Sequence, residues 1–413
     1  MKIFSHAHFL RHISMPTLRE FTDAHVLGSS LSIDWDAPAD AFATQINDAV
    51  NALEASLHDA KNAPEALETM ERNLHLWHDD LRRAHLLSNE LASKEFQITC
   101  AKDLAVITAF ADRDVREKAL WIFTFRDQVF RDVELNLAFQ AKANGKYWKK
   151  HRIQAGLDLT KDRDQLELFS NEVAKLYEKV GGGKSTHIEV SNHASGDSVQ
   201  LTIYVEGPVT ALAHFTDNHF KRLTTRIALE TAVVYQRSTG VVESVVKGGA
   251  KNHQAVLALF AKHVVGHEIK PEEIEKARYK LNELRDGILK PFEDLSSIGV
   301  DKIRLRRAKF APPGSTGVTL QVEASAEKDK DDAINLARKT LTVHHAFEAE
   351  YNMEGASVLV LMCADGKKKG KHFSFNVHSA GSSTIKNLTL KNQVIANAVL
   401  KSLNVIDSEE VAA

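Results

Sequence analysis

The sequence predicts an α+β fold: a helical N-terminal domain followed by a mainly antiparallel sheet domain with helices on one face. Up to about residue 180, apolar residues recur at three- and four-residue steps, the period of an amphipathic helix. After residue 186, short segments alternate polar and apolar residues, as half-buried strands do. Between these regimes stands Gly181-Gly182-Gly183-Lys184-Ser185-Thr186, so domains are expected at 1–180 and 187–413.

The helices follow in order. Ala39 to Leu57 aligns Phe42, Ile46, Val50, Leu53 and Leu57. Leu67, Met70, Leu74, Trp77, Leu81 and Ala84 form the next stripe. Ser88 to Cys100 has no decisive period. Asp112-Arg113-Asp114 stands where a cap belongs, before Ala119, Ile122 and Phe123. Leu166, Phe169, Val173 and Leu176 predict a last helix before the glycines.

Strands are expected over Thr186–Val190 and Ser198–Glu206. Three hairpins follow. Leu223–Gln236 and Val241–Val246 flank Arg237-Ser238-Thr239-Gly240. Ile303–Phe310 and Val318–Val322 flank Pro312-Pro313-Gly314. Ser357–Met362 and His372–Val377 flank Asp365-Gly366 and a lysine run. Helical spacing returns over Val209–Phe220, Ala255–Val265, Ala333–Phe347 and Val394–Leu403. Strand pairs followed by helices argue for an antiparallel sheet covered on one face, not a doubly wound parallel one. The last hairpin and helix, about 354–405, read as a winged-helix-like subdomain without an evident recognition helix.

Composition narrows the function. The 413 residues are 43% apolar and 26% charged, with a formal net charge of −2, which excludes a wholly basic nucleic-acid coat. The charge is divided unevenly: residues 1–140 carry 14 cations against 22 acids, and the rest is mildly basic. The acidic helical part therefore reads as a possible dock for a protein partner. No stretch approaches the ~20 apolar residues of a membrane span, and the first residues lack the apolar core of a signal peptide. Cys100 and Cys363 are far apart and form no CxxC. A cytoplasmic protein without a membrane partner is expected.

Each motif has a chemical and a structural meaning. Gly183-Lys184-Ser185 matches the second half of a phosphate-binding loop, but the first glycine of G-x-x-x-x-G-K-[ST] would be residue 178, which is Glu178. The order is also inverted, with a helix before and a strand after. The run reads as a flexible joint, and no nucleotide or other cofactor is expected. His75, His78 and Asp79 have helical spacing that places them on one side and form the candidate metal site of a hydrolase. His345 and Glu348 form a weaker candidate pair. No serine-hydrolase elbow or nuclease acid pattern is found, so the chain is not expected to be an enzyme on other grounds.

Basic segments carry the main functional expectation. Lys302, Arg304 and Arg306 alternate with Ile303 and Leu305, so one strand buries one face and presents cations on the other; Arg307 extends the charge. Lys367, Lys368, Lys369 and Lys371 belong to a hairpin tip. Trp148, Lys149 and Lys150 mix an aromatic ring with cations, which suits stacking on exposed bases. Together they predict a nucleic-acid-binding protein that serves as a subunit of a larger assembly, DNA or RNA being contacted through local basic patches. A protein-interaction scaffold without catalysis is the first alternative, and a metal-dependent hydrolase the second.

Overall fold

The computed structural model describes residues 4–38, 40–59, 64–143, 145–193, 196–216, 219–275, 278–288, 295–314, 317–325, 331–340, 350–364 and 370–406. The chain forms two compact units, Met1–Lys142 with His151–Glu272, and Ala143–Lys150 with Glu273–Ala413. The glycine run thus lies inside the first unit, and the chain passes between units near residues 143–150 and 272–273.

The first unit begins with helices α1 (His6–Leu10), α2 (Met15–Ala24), α3 (Phe42–Asp59), α4 (Pro64–Leu86), α5 (Glu90–Thr99), α6 (Leu104–Phe110), α7 (Val115–Phe125) and α8 (Asp127–Lys142). The α4 stripe buries as its spacing predicts: Leu74, Trp77, Leu81 and Ala84 join Phe9, Phe21, Phe42 and Ile46 in one core. The segment without a decisive period is helix α5, whose Phe96 packs with Val106, Ile122 and Phe130 in a second core. Asp114 and Glu117 form a capping box at α7. Glu117 also accepts the Ser14 amide at 2.8 Å, tying the start of α2 to α7.

After strand β1 (Trp148–Arg152) and helix α9 (Arg163–Lys175) come β2 (Thr186–Asn192), β3 (Ser198–Val205), β4 (Val209–Thr216), β5 (His219–Arg226), β6 (Leu229–Gln236) and β7 (Val241–Val245), then α10 (Ala250–Phe260). Strands β2, β3, β6 and β7 are neighbours in that order, all antiparallel. Ile203, Val205, Val233 and Tyr235 face Phe169 and Val173 of α9 and Val256 and Phe260 of α10. From the polar face, Gln200 donates to the Leu135 carbonyl of α8 at 3.1 Å, which fastens sheet to helices.

The helix expected over Val209–Phe220 is instead part of the hairpin β4–β5, paired from Val209↔Arg226 to Thr216↔His219. Val209, Leu212 and Phe215 are three apart, which resembles a helical stripe. In a strand the same spacing alternates faces, and β-branched Thr224 and Thr225 suit the extended partner.

The second unit contains β8 (Glu272–Ile274), β9 (Val300–Ala311), β10 (Leu320–Glu323), α11 (Ala333–Thr340), β11 (Asn352–Met362), β12 (His372–His378) and α12 (Leu390–Ser402). Strand order is β10-β9-β11-β12, antiparallel throughout. Ile303, Leu305, Ala308 and Phe310 of β9 share one core with Val358, Val360, Phe375 and Val377, and with Ile334 of α11 and Ile395 and Val399 of α12. The hairpin and helix of 354–405 therefore share their core with β9. The α+β architecture is as the sequence predicts.

Candidate nucleic-acid interface

Strand β9 sets the candidate surface. Its inward residues are Ile303 and Leu305, then Ala308 and Phe310, so the alternation changes phase in between. The cause is a bulge: Ser357 of β11 pairs with Arg307 and Val358 with Leu305, leaving Arg306 as an extra residue. Arg306 and Arg307 are consequently both exposed. Lys302 is exposed too, while Arg304 and Lys309 are half-buried.

Five cations thus lie off the core side of the sheet, against Asp301, Glu323 and Glu354. Arg307 grips Glu323 of β10 with two bonds of 3.1 Å, and Lys309 reaches Glu354 at 3.1 Å. The Arg307 hydrogen bond holds the Glu323 carboxyl below the usual carboxylate range, with Arg306 adding to the effect. Lys302 forms no ion pair among the described residues.

The topology brings one further cation near. Leu361 of β11 faces Lys302 on one side and His372 on the other. Lys302 and His372 are therefore two strand spacings apart, about 9.5 Å, and Lys371 is the exposed residue next to His372. Lys367, Lys368 and Lys369 lie outside the described residues.

The aromatic segment behaves differently from the expectation. Trp148 is buried, 6% exposed, so its ring is packed rather than open to a base. Lys149 is bonded to Glu273 at 2.5 Å, and Lys150 is half-buried. The exposed ring nearby is Tyr147, with the Lys146 ammonium 5.4 Å from its centroid.

Two of the three proposed metal ligands are bonded to other side chains. His75 is exposed. The His78 ring uses both nitrogens elsewhere: Nε2 lies 2.6 Å from Glu54 Oε1, and Nδ1 lies 3.0 Å from His6 Nε2. A carboxylate only accepts, so His78 donates through Nε2, and its Nδ1 shares a hydrogen bond with His6 Nε2. Asp79 accepts from Arg82 at 2.7 Å. Among the described residues no three His, Cys, Asp or Glu side chains are grouped to hold an ion. His345 and Glu348 lie outside the described residues.

The glycine run already encloses an anion of its own chain. Gly183 donates its amide to the Glu206 carbonyl at 2.7 Å, and a Cβ on Gly183 would fall 1.9 Å from Glu206 Oε2. Arg226 pairs with the same carboxylate at 3.1 Å. Gly181 takes φ +82, ending the helical turn before it. These glycines make room for a structural carboxylate at the base of β5.

Two features escaped the sequence reading. One is the arm β4–β5, hidden by its helix-like spacing. The other is Asp332, 4% exposed, which accepts the Leu305 amide of β9 at 2.8 Å and the Ile334 amide at 3.1 Å. An Asp directly before a helix is a capping signal, but its reach to β9 has no local signature. No protein-family model matches the chain, and no curated protein matches it.

Proposed function

We propose that this is a cytoplasmic nucleic-acid-binding protein whose β9 sheet face holds the phosphate backbone, within a larger assembly. The observation that carries the reading is the bulge at Arg306, which turns a K-x-R-x-R-R-x-K strand into a run of five cations on the side away from the core. Outward residues recur every ~6.6 Å along a strand, so β9 offers a linear row rather than a point charge. Lys371 lies near its Lys302 end.

The row suits backbone contact more than base reading. The described residues on the outward side of β9, β11 and β12 include no Phe, Tyr or Trp, so the stacking platform of many single-strand binders is missing there. Binding is therefore expected to be electrostatic, salt-sensitive and weakly selective for sequence. A mobility-shift titration with single- and double-stranded DNA and RNA tests this. A shift at low salt, weakened by Lys302→Ala with Arg306→Ala, is the expected result. Purified protein that shifts none of these probes at low salt overturns it. The His78 ring and the Asp79 carboxylate are bonded to Glu54, His6 and Arg82, which does not favour the hydrolase alternative.

A further inference from the structure

Among the described residues the hairpin β4–β5 is a two-stranded sheet of its own, paired to no other strand. Such a ribbon is at best marginally stable in water unless something covers it. Yet it is apolar on both faces. One face presents Val209, Phe215 and Phe220, exposed by 59%, 74% and 55%; the other presents Leu212 and Leu223. Phe215 and Phe220 sit opposite each other near the tip, centroids 5.6 Å apart and edge to face. Exposed aromatic side chains paired in this way mark the Phe215–Phe220 face as an interaction surface.

We propose that this arm docks onto the helical part of a second copy of the same chain, in a reciprocal exchange. Charge complementarity is the first argument. The arm carries Lys221 and Arg222 against one acid, Asp217, its third cation Arg226 being paired with Glu206, whereas residues 1–140 carry 14 cations and 22 acids. The Arg222 guanidinium lies 6.0 Å from the Phe220 ring, so cation and apolar surface are presented together.

Fit is the second argument. The helical part has a cleft of about 230 Å³ lined by Phe21, Val26, Leu76 and Phe123, with the polar residues His25, Asp80 and Thr124 among them. An enclosed cavity of about 150 Å³ holds benzene, so this cleft is large enough for a phenylalanine ring. Val26 and Leu76 at its rim are 59% and 43% exposed, apolar surface that a docked arm would cover.

Area is the third argument, and it favours two arms over one. Taking about 200 Å² for a phenylalanine side chain, covering Phe215 and Phe220 removes on the order of 250 Å². Adding Val209, on the same face, brings an arm to roughly 350 Å², and an equal receiving surface makes roughly 700 Å² per arm, below a standard interface. Two reciprocal contacts reach roughly 1,400 Å², within the standard range. A two-fold pair supplies both.

The test is sedimentation of the full chain at about 100 μM, above the micromolar limit expected for an interface of this size. Wild-type protein is expected at twice the chain mass, and Phe215→Asp with Phe220→Asp at the chain mass with an unchanged far-UV CD spectrum. Leu76→Asp, at an exposed position, is expected to give the same mass halving. In a Cys363→Ser background, Phe215→Cys protein mixed with Leu76→Cys protein is expected to cross-link between copies. A monomeric wild type, or variants that stay dimeric, overturns the proposal. Arm variants that keep their mass but lose nucleic-acid binding overturn it too, and make the arm part of the nucleic-acid surface.

Discussion

Asp332 is where the geometry of β9 depends most on one side chain. Strand β10 ends at Glu323, opposite Arg307, so it does not extend along β9 as far as Leu305. The Asp332 carboxylate takes the next place on that side and accepts the Leu305 amide at 2.8 Å, while its other oxygen accepts the Ile334 amide at 3.1 Å. Leu305 and Ile334 are both 0% exposed, so water cannot replace the acceptor without rearrangement. Asp332→Ala orphans both buried amides, at about 1–3 kcal/mol each, and also removes the acceptor of the half-buried Ile288 amide at 3.3 Å. Part of this is offset, because burial pushes the Asp332 carboxyl above its ordinary range and its removal relieves that strain. The net expected loss is about 3 kcal/mol, and Asp332→Asn, which keeps one carbonyl acceptor, should lose about 1 kcal/mol. Urea denaturation followed by amide exchange at Leu305 measures both. An Asp332→Ala loss under about 1 kcal/mol, with Leu305 protection unchanged, refutes the assignment. Nucleic-acid affinity should fall with the alanine variant, since the row of cations depends on the position of β9.

Two further outcomes follow from the first unit. Gly183→Ala places a Cβ 1.9 Å from the Glu206 carboxylate, so thermal denaturation should show a loss of about 1–3 kcal/mol; an unchanged melting temperature would mean that Glu206 moves freely. Burial, with His78 adding to it, holds the His6 pKa below 6.5. Neutral His6 therefore contributes stability that is present above pH 6.5 and lost as pH falls through the depressed value. Melting of the wild type should weaken over that window, and His6→Gln should flatten the dependence; parallel pH profiles would contradict it.

The fold was legible where one period ran long enough. The α4 stripe and the alternation in β3 each report a buried face directly, and Asp114 announces its helix through chemistry confined to four residues. Val209, Leu212 and Phe215 misled because a step of three satisfies a helix and also a strand with two apolar faces; only the pairing with β5 decides. The phase change in β9 was latent in Arg306-Arg307, two adjacent cations between apolar pairs, but the bulge needs β11 for its definition. Trp148 read as an exposed ring because sequence registers its neighbours' charge and not its burial. His78 and Asp79 are neighbours in sequence whose partners, Glu54, His6 and Arg82, come largely from other helices.

The central claim is that β9 contacts phosphates, and the salt dependence of binding tests it most directly. Each phosphate contact contributes about 0.9 to the slope of log K against log salt on duplex DNA. Removing Lys302 and Arg306 together should lower the magnitude of that slope by about 1.8, equally on duplexes of different sequence. A slope that is the same in wild type and double variant would contradict the account, because binding would then run through some other surface.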